Sequence, residues 1–174
     1  MRRLVVATCL VLVAGCARQG PAPPLPGPVQ PSVVVSPALA TAAYLALAGS
    51  IDLFEIRSAE LAAARASDPR IRDFARRMIA DHHGTSAQLS FAGRRLNLLP
   101  SATLDPHHQA MLDELLAAPN FDQAYLRQQL AVHSEALEIH SAYAARGSSP
   151  TLRPVAANAV PIVRRHLEEL RAMR

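Results

Sequence analysis

Four ionisable side chains stand at positions where a helical period calls for apolar ones: Glu55, His82, His133 and His166. A buried carboxylate or imidazole left alone costs several kcal/mol, so each needs a partner. One Glu and three His converging on a protein interior make a metal site for zinc, copper or iron. Asp81, Tyr125, Glu138, His140 and Glu169 lie near them in sequence and are the candidates to orient the ligands. The same residues also allow a metal-free hydrogen-bond network in which His–Glu pairs fix helix register, or an arrangement in which some of them reach solvent. His83, His107 and His108 are expected to face water on a helix flank and a loop, with at most loose metal binding by the pairs His82-His83 and His107-His108.

The elements that must position these groups are long helices. Residues 38 to 66 read as the first, with Tyr44, Ala48, Ile51, Glu55, Ser58 and Ala62 on one face. Ser67-Asp68-Pro69 breaks it with a capping residue and a Pro at the next helical start. The second runs to about Asn97 and aligns Ile71, Phe74, Met78, His82, Thr85 and Leu89. Leu98 to Asp105 is loop, and Pro106 to Ala117 is a short third helix. A fourth starts at Pro119-Asn120 with Leu126, Leu130, His133, Leu137 and Ala144 on one side. Gly147-Ser148-Ser149-Pro150 ends it and opens a fifth, whose seam is Leu152, Val155, Ala159, Ile162, His166 and Met173. Pro154 falls in the first turn of that helix, whereas Pro161 should kink it. No segment alternates with period two for long enough to be a strand. The expected fold class is therefore all-α, a four-helix bundle with one short extra helix.

Depth along the helices brings the four polar residues together. Glu55 lies about 12 residues before the first turn and His82 about 14 after it, a mismatch of roughly 3 Å at about 1.5 Å per residue. His133 and His166 lie about 15 and 18 residues either side of the Gly147–Pro150 turn. All four meet near mid-bundle, whether the third helix makes a short return or a long crossover.

The N-terminus is an address. Met1-Arg2-Arg3 is positive, and Leu4 to Val13 is apolar but too short to span a bilayer. The run ends in Val13-Ala14-Gly15-Cys16, small residues before a Cys, which resembles the lipobox of bacterial lipoproteins. That resemblance implies a signal peptide over 1–15, a lipid on Cys16 and tethering to a membrane. It also implies an exported, periplasm-facing envelope protein, and Ala17 in place of Asp fits outer-membrane sorting. Residues 16–37 form a linker rich in Pro: seven of the chain's 14 prolines stand between 17 and 37, which favours extended spacer geometry. The mature domain is then residues 38–174.

Composition excludes several classes. Without Arg2 and Arg3 the 18 basic residues become 16 against 14 acidic ones, scattered along helices with no basic stripe, so no nucleic-acid partner is expected. The two cysteines, Cys9 and Cys16, both precede the folded part and supply neither a disulfide nor a catalytic thiol. No Glu-x-x-His pair, Gly-rich phosphate loop, nucleophile elbow or His-Glu-x-x-His is present, and no catalytic residue is assigned.

Several blocks nevertheless match a known pattern. Phe54-Glu55-Ile56, Ala66-Ser67-Asp68-Pro69 and Phe74-Ala75-Arg76-Arg77-Met78-Ile79-Ala80-Asp81-His82 resemble a bacterial envelope family catalogued as domain of unknown function 4142. So do Phe121-Asp122-Gln123-Ala124-Tyr125-Leu126 with His133, and Val160-Pro161 with His166-Leu167. The resemblance covers roughly 38–174 and implies a ferritin-like fold; the family's recurring Glu and His positions match Glu55, Asp81, His82, His133 and His166. His83-Gly84, where a polar helix-forming pair is usual, departs from it.

Two functions follow as expectations. One is a metal-binding protein of the envelope with a redox or stress role, its ligands Glu55, His82, His133 and His166. The other is a non-enzymatic tethered module that binds an envelope protein or the cell wall, with the Glu/His cluster a structural network. A large exposed apolar patch would favour the second. A small-molecule carrier is a third class with no specific residue behind it.

Overall fold

The computed structural model describes residues 37–174, with side chains from residue 40. The segment expected to be a signal peptide, Cys16 and the expected linker up to residue 36 lie outside the described residues. Five helices and no strand occur among those described: α1 Pro37–Arg65, α2 Pro69–Arg94, α3 Pro106–Ala117, α4 Phe121–Arg146 and α5 Arg153–Ala172. Side-chain acceptors cap three of the starts. Asp68 accepts from Arg70 N, Asp105 from His108 N and Asn120 from Gln123 N. Proline occupies the first turn of α2, α3 and α5, where its missing N–H costs nothing.

Two boundaries differ from the expectation. Helix α2 stops three residues short of Asn97, because Asn97 takes φ 56° and the Leu98 N–H turns back onto the Gly93 carbonyl at 2.9 Å. Gly93 is needed for this turn: a Cβ there would stand 2.6 Å from the Leu98 carbonyl. Helix α5 opens at Arg153, since Pro150–Leu152 form a turn that brings the Leu152 and Arg153 amides onto the Ser149 carbonyl. It continues through Pro161, whose side chain is exposed.

Helix α1 packs on α2, and α4 on α5; α1 against α4 and α2 against α5 close the bundle. The direction of each helix follows from who meets whom. Along the α1–α4 seam Thr41 bonds Ser148, Ser58 bonds Gln129 and Ser67 bonds Asp122, so these two are antiparallel. Asp81 with Arg165 and Arg77 with Glu169 make α2 and α5 antiparallel as well. Helices α2 and α4 therefore point the same way, and the chain between them is a long crossover. Helix α3 is the middle of it and lies over α1 and α4. The arrangement is the all-α bundle with one short extra helix expected from periodicity.

The predicted seams of α1 and α2 are buried in full: Tyr44, Ala48, Ile51, Glu55, Ser58 and Ala62, and Ile71, Phe74, Met78, His82, Thr85 and Leu89. The seam of α4 is rotated. Leu126, Leu130, Leu137 and Ala144 are only half-buried, while Ala124, Tyr125, Gln128, Gln129, Val132, His133, Ala136, His140 and Tyr143 face inward. Polar residues on the inward face disguised it. Helix α5 shifts similarly, burying Ala156, Val163, Leu167 and Leu170 beside Ala159 and His166.

Two apolar clusters fill the ends of the bundle. One gathers Ile71, Phe74, Met78, Tyr125 and Leu170; the other gathers Tyr44, Leu45, Leu89, Tyr143 and Leu152. Between them along each helix lies a layer of buried polar side chains, and that layer is where the chemistry resides.

Candidate metal centre

His82 from α2, His133 from α4 and His166 from α5 meet in this layer, with relative exposures of 2, 0 and 1%. Their ring centroids stand 5.7, 5.5 and 5.3 Å apart, a nearly equilateral triangle. One ring nitrogen from each lies within 4.8 Å of the other two. His133 Nε2 and His166 Nδ1 are 3.3 Å apart. Tetrahedral donors about 2.0–2.1 Å from a zinc-like ion are themselves separated by roughly 3.3 Å.

The outward nitrogens explain which way the lone pairs point. His133 Nδ1 is 2.9 Å from the Gln129 carbonyl, an oxygen that can only accept, so Nδ1 carries the proton. His82 Nδ1 donates to Asp52 Oδ1 at 2.8 Å, and the same oxygen accepts from Thr85 Oγ1 at 2.8 Å. Ser86 Oγ donates to the other Asp52 oxygen at 3.2 Å, so this carboxylate acts as an acceptor throughout. His166 Nε2 donates to Asp81 Oδ2 at 2.9 Å, which Arg165 also holds at 2.8 Å. With these three protons outside, a neutral triad turns three lone pairs inward. His82 Nε2 is buried without any partner. A set of acceptors facing one another is a poor hydrogen-bond network and a good cradle for a cation or a proton.

Glu55, expected as a direct ligand, is not among the three residues whose donor atoms lie within 4.8 Å of one another. Its Oε1 is 3.0 Å from His133 Nδ1, whereas the other nitrogen of that ring, Nε2, approaches His166. The Nδ1 proton is aimed at the Gln129 carbonyl, and both Glu55 oxygens are buried without a hydrogen bond. Burial opposes the Glu55 charge, but the neighbouring His133 and His82 outweigh it and hold the pKa below the usual carboxylate value. Glu55 thus places negative charge beside His133.

Burial favours the neutral form of His82, yet the bond and charge of Asp52, with Glu55 and Asp81 beyond it, raise its pKa. His166 goes the other way, down to about 4, because burial dominates and Asp81 only partly compensates. Burial likewise holds His140 at about 4; its Nδ1 lies 2.9 Å from the Tyr44 hydroxyl, outside the triad.

Of the other residues proposed to orient the ligands, Asp81 bonds His166 directly. Tyr125 is fully buried with its hydroxyl unpartnered, and burial together with the Glu55 charge raises its pKa well above 10.0. Glu138 is exposed on the outer side of α4, and Glu169 pairs with Arg77 near the surface, so neither serves the site. Asp52 was not among the sequence candidates. Its signal was the spacing Asp52-x-x-Glu55, one turn apart on α1. His108, expected to face water, is fully buried, its Nδ1 2.9 Å from both Ser50 Oγ and Asp105 Oδ2. His83 and His107 are exposed as expected.

Comparison with known proteins agrees with this picture of the fold. Residues 29–173 match the family model described as domain of unknown function (DUF4142). The chain belongs to this family. No curated protein matches it. Among solved structures it is similar to "CopM in the Cu(II)-bound form", with a TM-score of 0.65 at 19% identity, covering 76% of this chain and 94% of that one. At that identity the likeness establishes a shared helical fold.

Proposed function

We propose that this DUF4142 protein binds one transition-metal ion inside its bundle through His82, His133 and His166. The observation that carries the reading is the set of outer acceptors: the Gln129 carbonyl, Asp52 and Asp81 each lie 2.8–2.9 Å from the outer nitrogen of one buried ring, which in the neutral imidazoles leaves the inner nitrogens as lone-pair donors. Three neutral nitrogen donors with an open fourth position suit copper, zinc or iron. Copper is the first metal to test, since the solved structure similar in fold is described as a Cu(II)-bound form. Asp52, Asp81 and Glu55 surround the triad with negative charge that favours a cation. The lipid on Cys16 and the Pro-rich spacer would hold this centre at the envelope, where a metal-handling or redox-stress role fits an exported protein.

A proton can occupy the same cradle. The 3.3 Å approach of His133 to His166 also fits a hydrogen bond within a singly protonated pair, a structural network with no metal. Elemental analysis of the full chain, purified from a periplasm without a His tag, separates the two. The metal reading expects about one ion per chain, lost in His82→Ala and in His133→Ala. A folded, metal-free protein whose weak uptake is the same in both variants contradicts it.

A further inference from the structure

The pattern that marks the core triad occurs a second time, on the face covered by α3. His108 is fully buried, and its Nδ1 is held by the Asp105 carboxylate and by Ser50 Oγ, each at 2.9 Å. Asp105 accepts from this ring and from the His108 amide as well, so the ring orientation is fixed by the cap of α3 itself. With Nδ1 as the donor, Nε2 of the neutral ring holds the lone pair, and it is buried with no hydrogen-bond partner. It lies 3.7 Å from Oε2 of Glu135 on α4. Two donors that far apart both reach an ion at about 2.0–2.1 Å, at an angle somewhat wider than tetrahedral.

Glu135 lines a surface groove between α3 and α4 together with His107, Met111, Glu114, Arg127 and Gln128, where Arg127 is paired with Glu114 at 2.6 Å and leaves Glu135 as the carboxylate free of it. Gln128 donates its amide to the Met111 carbonyl and to Glu114, which leaves its Oε1 buried and unpartnered beside the same groove. His107 is exposed, its ring centroid 5.4 Å from that of His108. Its side chain lines the same groove as Glu135 and, being exposed, has more than one staggered rotamer open to it.

We propose that His108 and Glu135, with His107 as a movable third ligand, form a second and outer cation site for a borderline divalent ion such as zinc or copper(II). One nitrogen is pre-oriented by a carboxylate, one carboxylate lies at bite distance, and the third donor is mobile, so the site is weaker and faster to exchange than the core triad. It stands independently of the core reading, because it shares no ligand with it.

The test is equilibrium titration of the purified protein with zinc against a chromophoric chelator. Removing the core site by His82→Ala/His166→Ala is expected to leave one weaker ion per chain. Glu135→Gln or His107→Ala on top of that should weaken it at least tenfold; Glu135 is half-buried and His107 exposed, and Glu135→Gln keeps the side-chain shape. The same two substitutions in the otherwise native chain should remove the weaker of two ions, which covers the case of a core variant that fails to fold. A chain that holds only the core ion, or residual uptake indifferent to Glu135→Gln and His107→Ala, overturns the proposal. A native chain whose single ion survives His82→Ala but is lost with Glu135→Gln would instead defeat the core reading and leave this one standing.

Discussion

Asp52→Asn removes one charge from the core with little change of shape. In the native protein Asp52 Oδ1 accepts at 2.8 Å from both His82 and Thr85, and Oδ2 accepts at 3.2 Å from Ser86. An Asn that keeps its carbonyl at the Oδ1 position preserves the two short bonds as neutral ones, and Ser86 loses its acceptor. The His82 ring therefore stays in place with the same tautomer, but its inward nitrogen becomes less basic. Loss of an outer partner of a metal-bound His lowers affinity about 10–100-fold, which converts to about 1.4–2.7 kcal/mol. Folding stability should fall by a comparable amount, about 1–3 kcal/mol, since the exchange leaves imperfectly matched polar groups in the interior. The two effects separate by pH. Asp52 raises the His82 pKa, so protons compete for this nitrogen in the native protein; without the charge, burial lowers that pKa and the competition weakens. Copper or zinc affinity, measured by chelator competition at pH 7.5 and at pH 5.5, should be lower in the variant at the higher pH and depend less on pH. Unchanged affinity at both pH values, in a variant of native circular dichroism, would refute the assignment of His82 as a ligand oriented by Asp52.

Three further outcomes follow from other parts of the molecule. Gly84 is exposed within α2, and a Cβ there would meet nothing within 4 Å, so Gly84→Ala should stabilise the fold by about 0.5–1 kcal/mol in urea denaturation and leave metal uptake unchanged. Asp122 accepts from the Ser67 amide and hydroxyl and from the Asp68 amide, tying the α1–α2 turn to the start of α4; Asp122→Ala should cost about 1–3 kcal/mol by the same assay, again without touching the metal. His140 and His166 have folded pKa values of about 4, below the unfolded value of 6.5, so between those values the unfolded chain binds more protons and stability falls as pH drops from 7 towards 4. His82, whose pKa is raised, works in the opposite sense. The metal-free protein should therefore have a lower urea midpoint at pH 5 than at pH 7, and His140→Gln should shrink the difference; a midpoint that is flat or rises on acidification would contradict the burial of these neutral rings.

Much of the architecture was legible because long helices separated by short, capped turns leave little freedom. Asp68-Pro69 and Asp105-Pro106 marked two helix starts to the residue, and the depth argument brought the three histidines to one layer because each hairpin turn is only a few residues long. Glu55 reached that layer too, but helix periodicity reports which side a residue faces, not which atom of a partner it meets. Its contact with His133 depends on the rotation of α4, whose inward face carries Gln128, Gln129, His133 and His140 and so reads as polar. Asp52 and the burial of His108 escaped for a related reason. Helix α1 packs on α2, α3 and α4 at once and is buried on three sides, so residues flanking its apolar stripe, such as Ser50 and Asp52, are interior as well. The long crossover that lays α3 over α1 is a tertiary fact, and only with it in place does His108 close over Ser50 and Phe54.

The measurement that bears most directly on the account is anomalous diffraction from crystals of the protein grown with copper or zinc, collected on either side of the metal edge. The expected result is a peak inside the bundle bonded to His82 Nε2, His133 Nε2 and His166 Nδ1 at about 2.0–2.1 Å, with Glu55 outside bonding distance. A well-ordered core with no peak among the three rings, or a peak bound through Glu55 with His82 turned away, would contradict it.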